Sequence, residues 1–352
     1  MFTVLNYEVS VHMENEDTLM QLKKEMNLAF KKYRPDRCLF CNTKNPRFCN
    51  SHSVPRFVLK NIAKNGIIFQ SSLFMHDDET LMDEEKGLNN TGTFRNICTK
   101  CDKEVFADYE DKLKLIEMPS NEIMLQIAIK NNLFEINKKY IEKGIYDWAH
   151  EKLGVELPLE EYHGLDLYEI RKKLNNYKKA YYKKKNVEFD LFFWEKLEYV
   201  VPYAFQGEIT LKGDLLGFKV NDVYDSDLRN LIQCINVCVF PLDNCSVVMA
   251  FRDRSYRKLD NFVIQFQKRD LREQLYIINY MIMCFSEDYY ISKHICKEVL
   301  ENANIKRICS SYHLVRADVH GDIHPEDLKA VYSLLRDMLE IPNLLSQEYK
   351  IR

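Results

Sequence analysis

Four cysteines of the chain stand as two C-x-x-C pairs, Cys38-Leu-Phe-Cys41 and Cys98-Thr-Lys-Cys101, separated by 56 residues. A C-x-x-C turn places two thiolates on one side of a tight knuckle, and two knuckles complete the tetrahedral sulfur shell that zinc prefers. Sulfur-only ligation leaves no open position for a substrate, so the expected zinc is structural. A redox dithiol is the competing chemistry, but it needs a pair opening a helix in a thioredoxin-like pattern, which neither pair shows. Cys49 is a spare, expected to be a packed thiol. Between the pairs also lies Asn50-Ser-His52-Ser-Val-Pro55-Arg-Phe-Val-Leu59, and Asp102 follows the second pair directly. A histidine titrates near neutral pH and can remove a proton from water, while a carboxylate can hold a hard cation.

A histidine past one knuckle, followed by x-x-Pro, with an acidic residue just after the second knuckle, resembles the zinc-bearing HNH, or ββα-metal, nucleases. The resemblance covers about residues 36 to 110, under a quarter of the chain. It implies a treble-clef-like module in which the knuckles brace a hairpin and a helix. It also implies that His52 is a general base, Asp102 a magnesium or manganese ligand, and Asn96 or Asn89 the group that orients the imidazole, with Asn90 competing for that role. Where the family carries an acidic residue before the histidine, this chain has Ser51, a poor ligand for a hard cation. The implied activity is metal-dependent hydrolysis of nucleic-acid phosphodiester bonds, and analogy extends it to a bacterial anti-phage effector. The alternative is a non-catalytic zinc-stabilised binding or scaffold protein with a degenerate module. A second resemblance, on His52-x-x-Pro55-x-Phe57-x-Leu59 together with Phe262-Val-Ile, Leu275 to Asn279 and Phe285 to Ser292, is to uncharacterised bacterial proteins and implies architecture alone.

Further along, Arg171 to Lys185 carries eight positive charges and no acid. Lys172, Lys173, Lys178, Lys179, Lys183, Lys184 and Lys185 would neutralise phosphates there, with Tyr177, Tyr181 and Tyr182 available to stack on bases. The competing expectation is a solvated helix face, since Leu174, Tyr177 and Tyr181 have core spacing. Glu104 and Asp108 either add carboxylate near Asp102 or are exposed helix charges, and Phe106 and Tyr109 are expected to pack the module onto the helices that follow. His313 and His320-Gly-Asp-Ile-His324 are explained by turn and capping chemistry. No phosphate-cradling glycine loop, dinucleotide fingerprint, Gly-x-Ser-x-Gly elbow or kinase signature is present.

The elements that must position these groups follow from patterning. The 352 residues suffice for two or three domains, and a formal net charge of -3 argues against a protein that coats DNA over its whole surface. No apolar run approaches the ~20 residues of a membrane span, and the alternating start from Met1 lacks the pattern of a signal peptide. A cytoplasmic protein with reduced thiols is expected, with Cys234, Cys238, Cys245, Cys284, Cys296 and Cys309 as small hydrophobes. Residues 1–35 predict a strand and a helix from Glu14 to Tyr33, and residues 36–118 the zinc module. Residues 119–206 read as helical to about Leu197, broken at Gly144, Gly154 to Pro158 and near Gly164. Residues 207–352 read as mixed, forming a region that contacts a protein partner. They carry short strands in Gly207 to Lys219, a hairpin of Ile235–Phe240 with Ser246–Phe251, a buried helix from Leu271 to Phe285, and helices from Ser292 to about Asn302 and from Pro325 to Leu339. The fold class is α+β.

Overall fold

The computed structural model describes residues 24, 28, 31–70, 84–154, 160–183, 187–223, 225, 227–286, 288–306 and 338–352. The opening strand, most of the Glu14 to Tyr33 helix, Lys184, Lys185, Cys309, the His313 to His324 segment and all but the end of the helix expected from Pro325 lie outside these residues. In chain order the elements are β1 (Ser51–His52), α1 (Arg56–Ile62), β2 (Ile67–Gln70), β3 (Glu84–Gly87), β4 (Thr93–Phe94), α2 (Thr99–Val105), α3 (Lys112–Leu115), α4 (Asn121–Leu153) and α5 (Glu160–Lys183). Then follow β5 (Phe189–Leu197), β6 (Tyr203–Thr210), β7 (Cys234–Pro241), β8 (Ser246–Asp253), α6 (Asp260–Gln267), α7 (Leu271–Phe285), β9 (Tyr290–Ile291) and α8 (Lys297–Leu300). The class is mixed α and β, and every strand pairing described is antiparallel.

Among the described residues the strands form a two-stranded ribbon, β1 with β4, and a seven-stranded sheet in the order β3-β2-β9-β6-β7-β8-β5. The expected hairpin lies inside it, between β6 and the edge strand β5. Asn236 faces Phe251 and Pro241 faces Ser246 across the β7–β8 pair, and Leu242 N–H donates to the Cys245 carbonyl at 2.8 Å to close the turn. Because side chains alternate along a strand, each face of this sheet buries its own set. Phe205, Ile209, Ile235, Val237, Val239 and Val248 pack with Phe262, Phe266 and Met281 of α6 and α7. On the opposite face Cys238, Phe240, Val247, Met249 and Phe251 pack with Val58, Leu59, Phe106, Ile127 and Tyr177. The sheet thus separates two apolar cores, and β2 and β3, which lie within residues 36–118, extend it at one edge.

Several patterns resolve differently from the sequence expectation. Helix α4 passes through Gly144 and α5 through Gly164, since packing of the two helices along each other outweighs the ~1 kcal/mol helix cost of a glycine. Gly154 does end α4, with φ at +67°. Phe189–Leu197, expected in the helical stretch, is the edge strand β5, rich in the aromatic side chains that suit a pleated surface. The helix expected from Ser292 shrinks to Lys297–Leu300. Ser292 N–H donates to the Pro202 carbonyl at 2.7 Å and its hydroxyl to the Ile62 carbonyl at 2.7 Å, so its polar groups close β9 onto β6 and α1 instead of starting a helix.

Candidate functional site

The first knuckle is shaped by its backbone. Cys38 N–H donates to the Thr43 carbonyl at 3.0 Å, Asn42 N–H to the Cys38 carbonyl at 2.8 Å, and Asn42 takes φ of +62°, a conformation asparagine tolerates. The second pair opens α2: Cys98 is its N-cap, accepting from Cys101 N–H at 3.4 Å, and Cys101 lies in the first turn. All four sulfurs fall within 4.8 Å of one another, and Cys41 Sγ is 3.9 Å from Cys98 Sγ. A tetrahedral shell with Zn–S of ~2.3 Å requires sulfurs about 3.8 Å apart, so the cluster fits zinc. One pair does open a helix, the position a redox dithiol needs, but the convergence of both pairs gives these sulfurs a shared centre and no disulfide is present among them.

Burial pushes the Cys38 and Cys101 thiols up. Burial also opposes ionisation of Cys41, but hydrogen bonds from the Thr43 hydroxyl and backbone prevail and bring it down to about 6. A bound ion displaces the remaining thiol protons, so uptake is coupled to proton release. Burial, with the nearby Asp102 charge, pushes Cys49 up to about 12, which leaves it an inert packed thiol. Among the described residues these four cysteines are the one group of three or more His, Cys, Asp or Glu side chains close enough to share an ion.

The β1–β4 ribbon and α2 carry the other predicted groups. Ser51 faces Phe94 and His52 faces Thr93 in the ribbon, and Asp102 follows on α2. His52 Nε2 lies 2.9 Å from the Leu88 carbonyl oxygen; a carbonyl only accepts, so Nε2 carries the proton and the neutral ring keeps its lone pair on Nδ1. Burial lowers the His52 pKa, the Lys130 and Arg56 charges lower it further, and the Leu88 carbonyl and Glu110 oppose them. Asp102 Oδ1 accepts from the Ser51 hydroxyl at 2.5 Å and from Lys130 Nζ at 3.3 Å. The same ammonium donates to Glu110 Oε1 at 2.7 Å and lies 3.9 Å from the centre of the Phe106 ring.

Other predicted groups are placed elsewhere. Asn96 is fully buried and donates to the Leu133 carbonyl at 2.6 Å, bracing the module against α4, while Asn89 holds the Arg56 guanidinium at 3.0 and 3.2 Å. Neither orients His52; the Leu88 backbone does. Asp108 pairs with Lys114 and accepts from Gln126 Nε2 at 3.0 Å, away from Asp102. Phe106 and Tyr109 are fully buried in the core shared with α4. Known proteins give no guide to these residues. The chain matches no family model, no curated protein and no solved structure.

The basic segment divides along α5. Lys173 is paired with Glu208, Lys178 donates to the Leu39 carbonyl of the first knuckle at 2.8 Å, and Tyr177 is buried. Lys172, Lys179 and Lys183 are exposed. Tyr181 and Tyr182 both touch Phe40 of the knuckle, with ring centres 5.4 and 5.3 Å away, and Tyr182 stays largely in solvent. No helix among the described residues is long and apolar enough to cross a membrane. Lys130 and Glu110 escaped the sequence analysis because Lys130 lies on α4, 28 residues beyond Asp102, and nothing local in the sequence marks their pairing.

Proposed function

We propose that residues 36–110 form a zinc-braced HNH-type module of treble-clef character, through which the chain hydrolyses nucleic-acid phosphodiester bonds. The observation that carries this is the position of His52 on the ribbon, held through Nε2 with Nδ1 left as a base, beside a helix that is capped by Cys98 and bears Asp102. Zinc, held by Cys38, Cys41, Cys98 and Cys101, braces the ribbon and helix and takes no part in the reaction.

In the reaction His52 Nδ1 takes a proton from water and the water oxygen bonds to phosphorus. The bond from phosphorus to the leaving sugar oxygen breaks, and that oxygen takes a proton from solvent. Arg56 is exposed, is steadied by Asn89 and acts electrostatically on His52, so it is the cation suited to receive the phosphate. The exposed Lys172, Lys179 and Lys183 and the ring of Tyr182 extend a nucleic-acid contact surface beside the knuckle. Depression of the His52 pKa keeps the base neutral at physiological pH, so cleavage should persist through the ordinary histidine value of 6.5 and fall only at lower pH, as the ring takes up a proton.

The test is cleavage of single-stranded and duplex DNA and of RNA by zinc-loaded protein, with and without added magnesium or manganese. Cleavage abolished by His52→Ala supports the proposal; equal cleavage by the variant, or none by the parent on any substrate, sinks it. A second reading, a non-catalytic binding or scaffold module, is favoured by the mutual bonding of Ser51, Asp102 and Lys130, and it predicts the second outcome.

A further inference from the structure

The hard cation that an HNH likeness implies does not fit the groups present. Of the two positions that should share it, one holds the Ser51 hydroxyl in place of a carboxylate, and that hydroxyl is spent on Asp102 at 2.5 Å. The other, Asp102, is already satisfied by an ammonium group. Lys130 is 1% exposed, and its charge is matched by Asp102 at 3.3 Å, Glu110 at 2.7 Å and the face of Phe106 at 3.9 Å. A buried ammonium with two carboxylates and an aromatic face has the partners that make such burial tolerable, and removing it would leave two carboxylates facing each other unpaired.

We infer that Lys130 occupies the place of the divalent cation, so that the Ser51–Asp102 site is closed to magnesium and manganese and holds a fixed positive charge of its own. The assignment explains why Ser51 is accommodated: an ammonium already matched by Asp102 and Glu110 has no need of a further carboxylate, whereas a divalent cation there would need oxygen lone pairs, and the Ser51 hydroxyl is a weaker donor than the carboxylate it replaces. It also explains why Lys130 sits on α4, outside the residues 36–110 that resemble the nucleases. The cation equivalent is delivered by the helix against which the module packs. Lys130 does not touch substrate; it is a positioning residue that neutralises Asp102 and lowers the His52 pKa through its charge.

The inference rests on the HNH reading of the site, but its test does not depend on activity. Manganese binding to the zinc-loaded full chain, followed by electron paramagnetic resonance, should show no site at millimolar ion in the parent protein. Lys130→Ala should gain one manganese site, and adding Asp102→Asn should remove it, with zinc content unchanged throughout. One equivalent of manganese bound by the parent protein and lost in Asp102→Asn overturns the assignment, and that arm stands even where Lys130→Ala does not fold. Cleavage is scored separately. Cleavage in metal-depleted, zinc-replete buffer supports both statements, and cleavage that strictly requires added magnesium or manganese overturns the Lys130 assignment alone. No cleavage under any condition, with manganese still excluded, sinks the proposed activity and leaves the assignment supported.

Discussion

The module of the four-cysteine cluster and the seven-stranded sheet are built on opposite principles, although they share a core. The sheet's interior strands β7 and β8 are eight residues long and almost wholly buried, and each face carries its own apolar layer. The module's ribbon has strands of two residues, and its helices α1 and α2 have seven. Elements that short do not hold themselves together. What holds them is the sulfur cluster at one end and contact with the sheet and α4 at the other. The comparison teaches how the proposed site is held: it lies where local structure is weakest, and fixed points of high precision replace bulk.

The largest effect should come from breaking those fixed points. Removing zinc, or Cys98→Ser, forfeits binding free energy on the order of 10 kcal/mol. Limited proteolysis should then cut within residues 37–110 while hydrogen exchange in β7 and β8 stays slow. Uniform loss of protection across both regions would show that the module and sheet are one cooperative unit. Next in size is Phe262→Ala, in the core on the far side of the sheet, which should cost about 3–5 kcal/mol and leave one equivalent of zinc bound. Loss of zinc in that variant would break the separation of the two cores.

How much of this was legible in the sequence follows the same division. The β7–β8 hairpin and α7 were readable because unbroken apolar runs have few alternative folds, as were the four cysteines, whose spacing is itself the chemistry. Phe189–Leu197 was misassigned because its position as the sheet edge is decided by pairing with β8, which a local window does not contain. The His52 site was legible only in part. His52 and Asp102 were marked by motif, but the Leu88 carbonyl has no side-chain signature, and Lys130 meets Asp102 only after α4 docks. Lys173 and Lys178 looked like a solvent-facing charge run, yet one neutralises Glu208 and the other caps a knuckle carbonyl.

A smaller effect probes the junction between the regions. Tyr290 of β9 reaches from the sheet into the module, where its hydroxyl lies 2.9 Å from Ser53 Oγ and crowds the backbone at Gly92. Gly92 has φ of +58°, and a Cβ there would collide with the Tyr290 hydroxyl. Gly92→Ala should therefore cost roughly 1–3 kcal/mol, from backbone strain and displacement of Tyr290. Urea unfolding measures it. Combining it with Tyr290→Phe should recover part of the loss, and simple additivity of the two would show that they do not meet.

The smallest effect concerns how the chain enters the module. Asp147 of α4 accepts from Tyr33 and pairs with Lys32 at 3.1 Å and Lys143 at 3.0 Å. Burial acts to raise its pKa, but the hydrogen bonds from Tyr33, Lys143 and Lys32 outweigh burial and bring it to about 2, below the ordinary 3.8. Because the folded value is the lower one, the ionised form favours folding. Its contribution is complete above the unfolded pKa and is lost as the pH falls from 3.8 through about 2. The cluster is near the surface, so the size is ~0–1 kcal/mol. Asp147→Asn should show this deficit in urea unfolding at neutral pH, with zinc retained, and a shrinking deficit as the pH falls from 3.8 toward 2. A deficit that persists unchanged at the acid end would mean that Asp147 acts by packing, and zinc loss from the variant at neutral pH would mean that the knuckle depends on this entry segment more than on its own sulfurs.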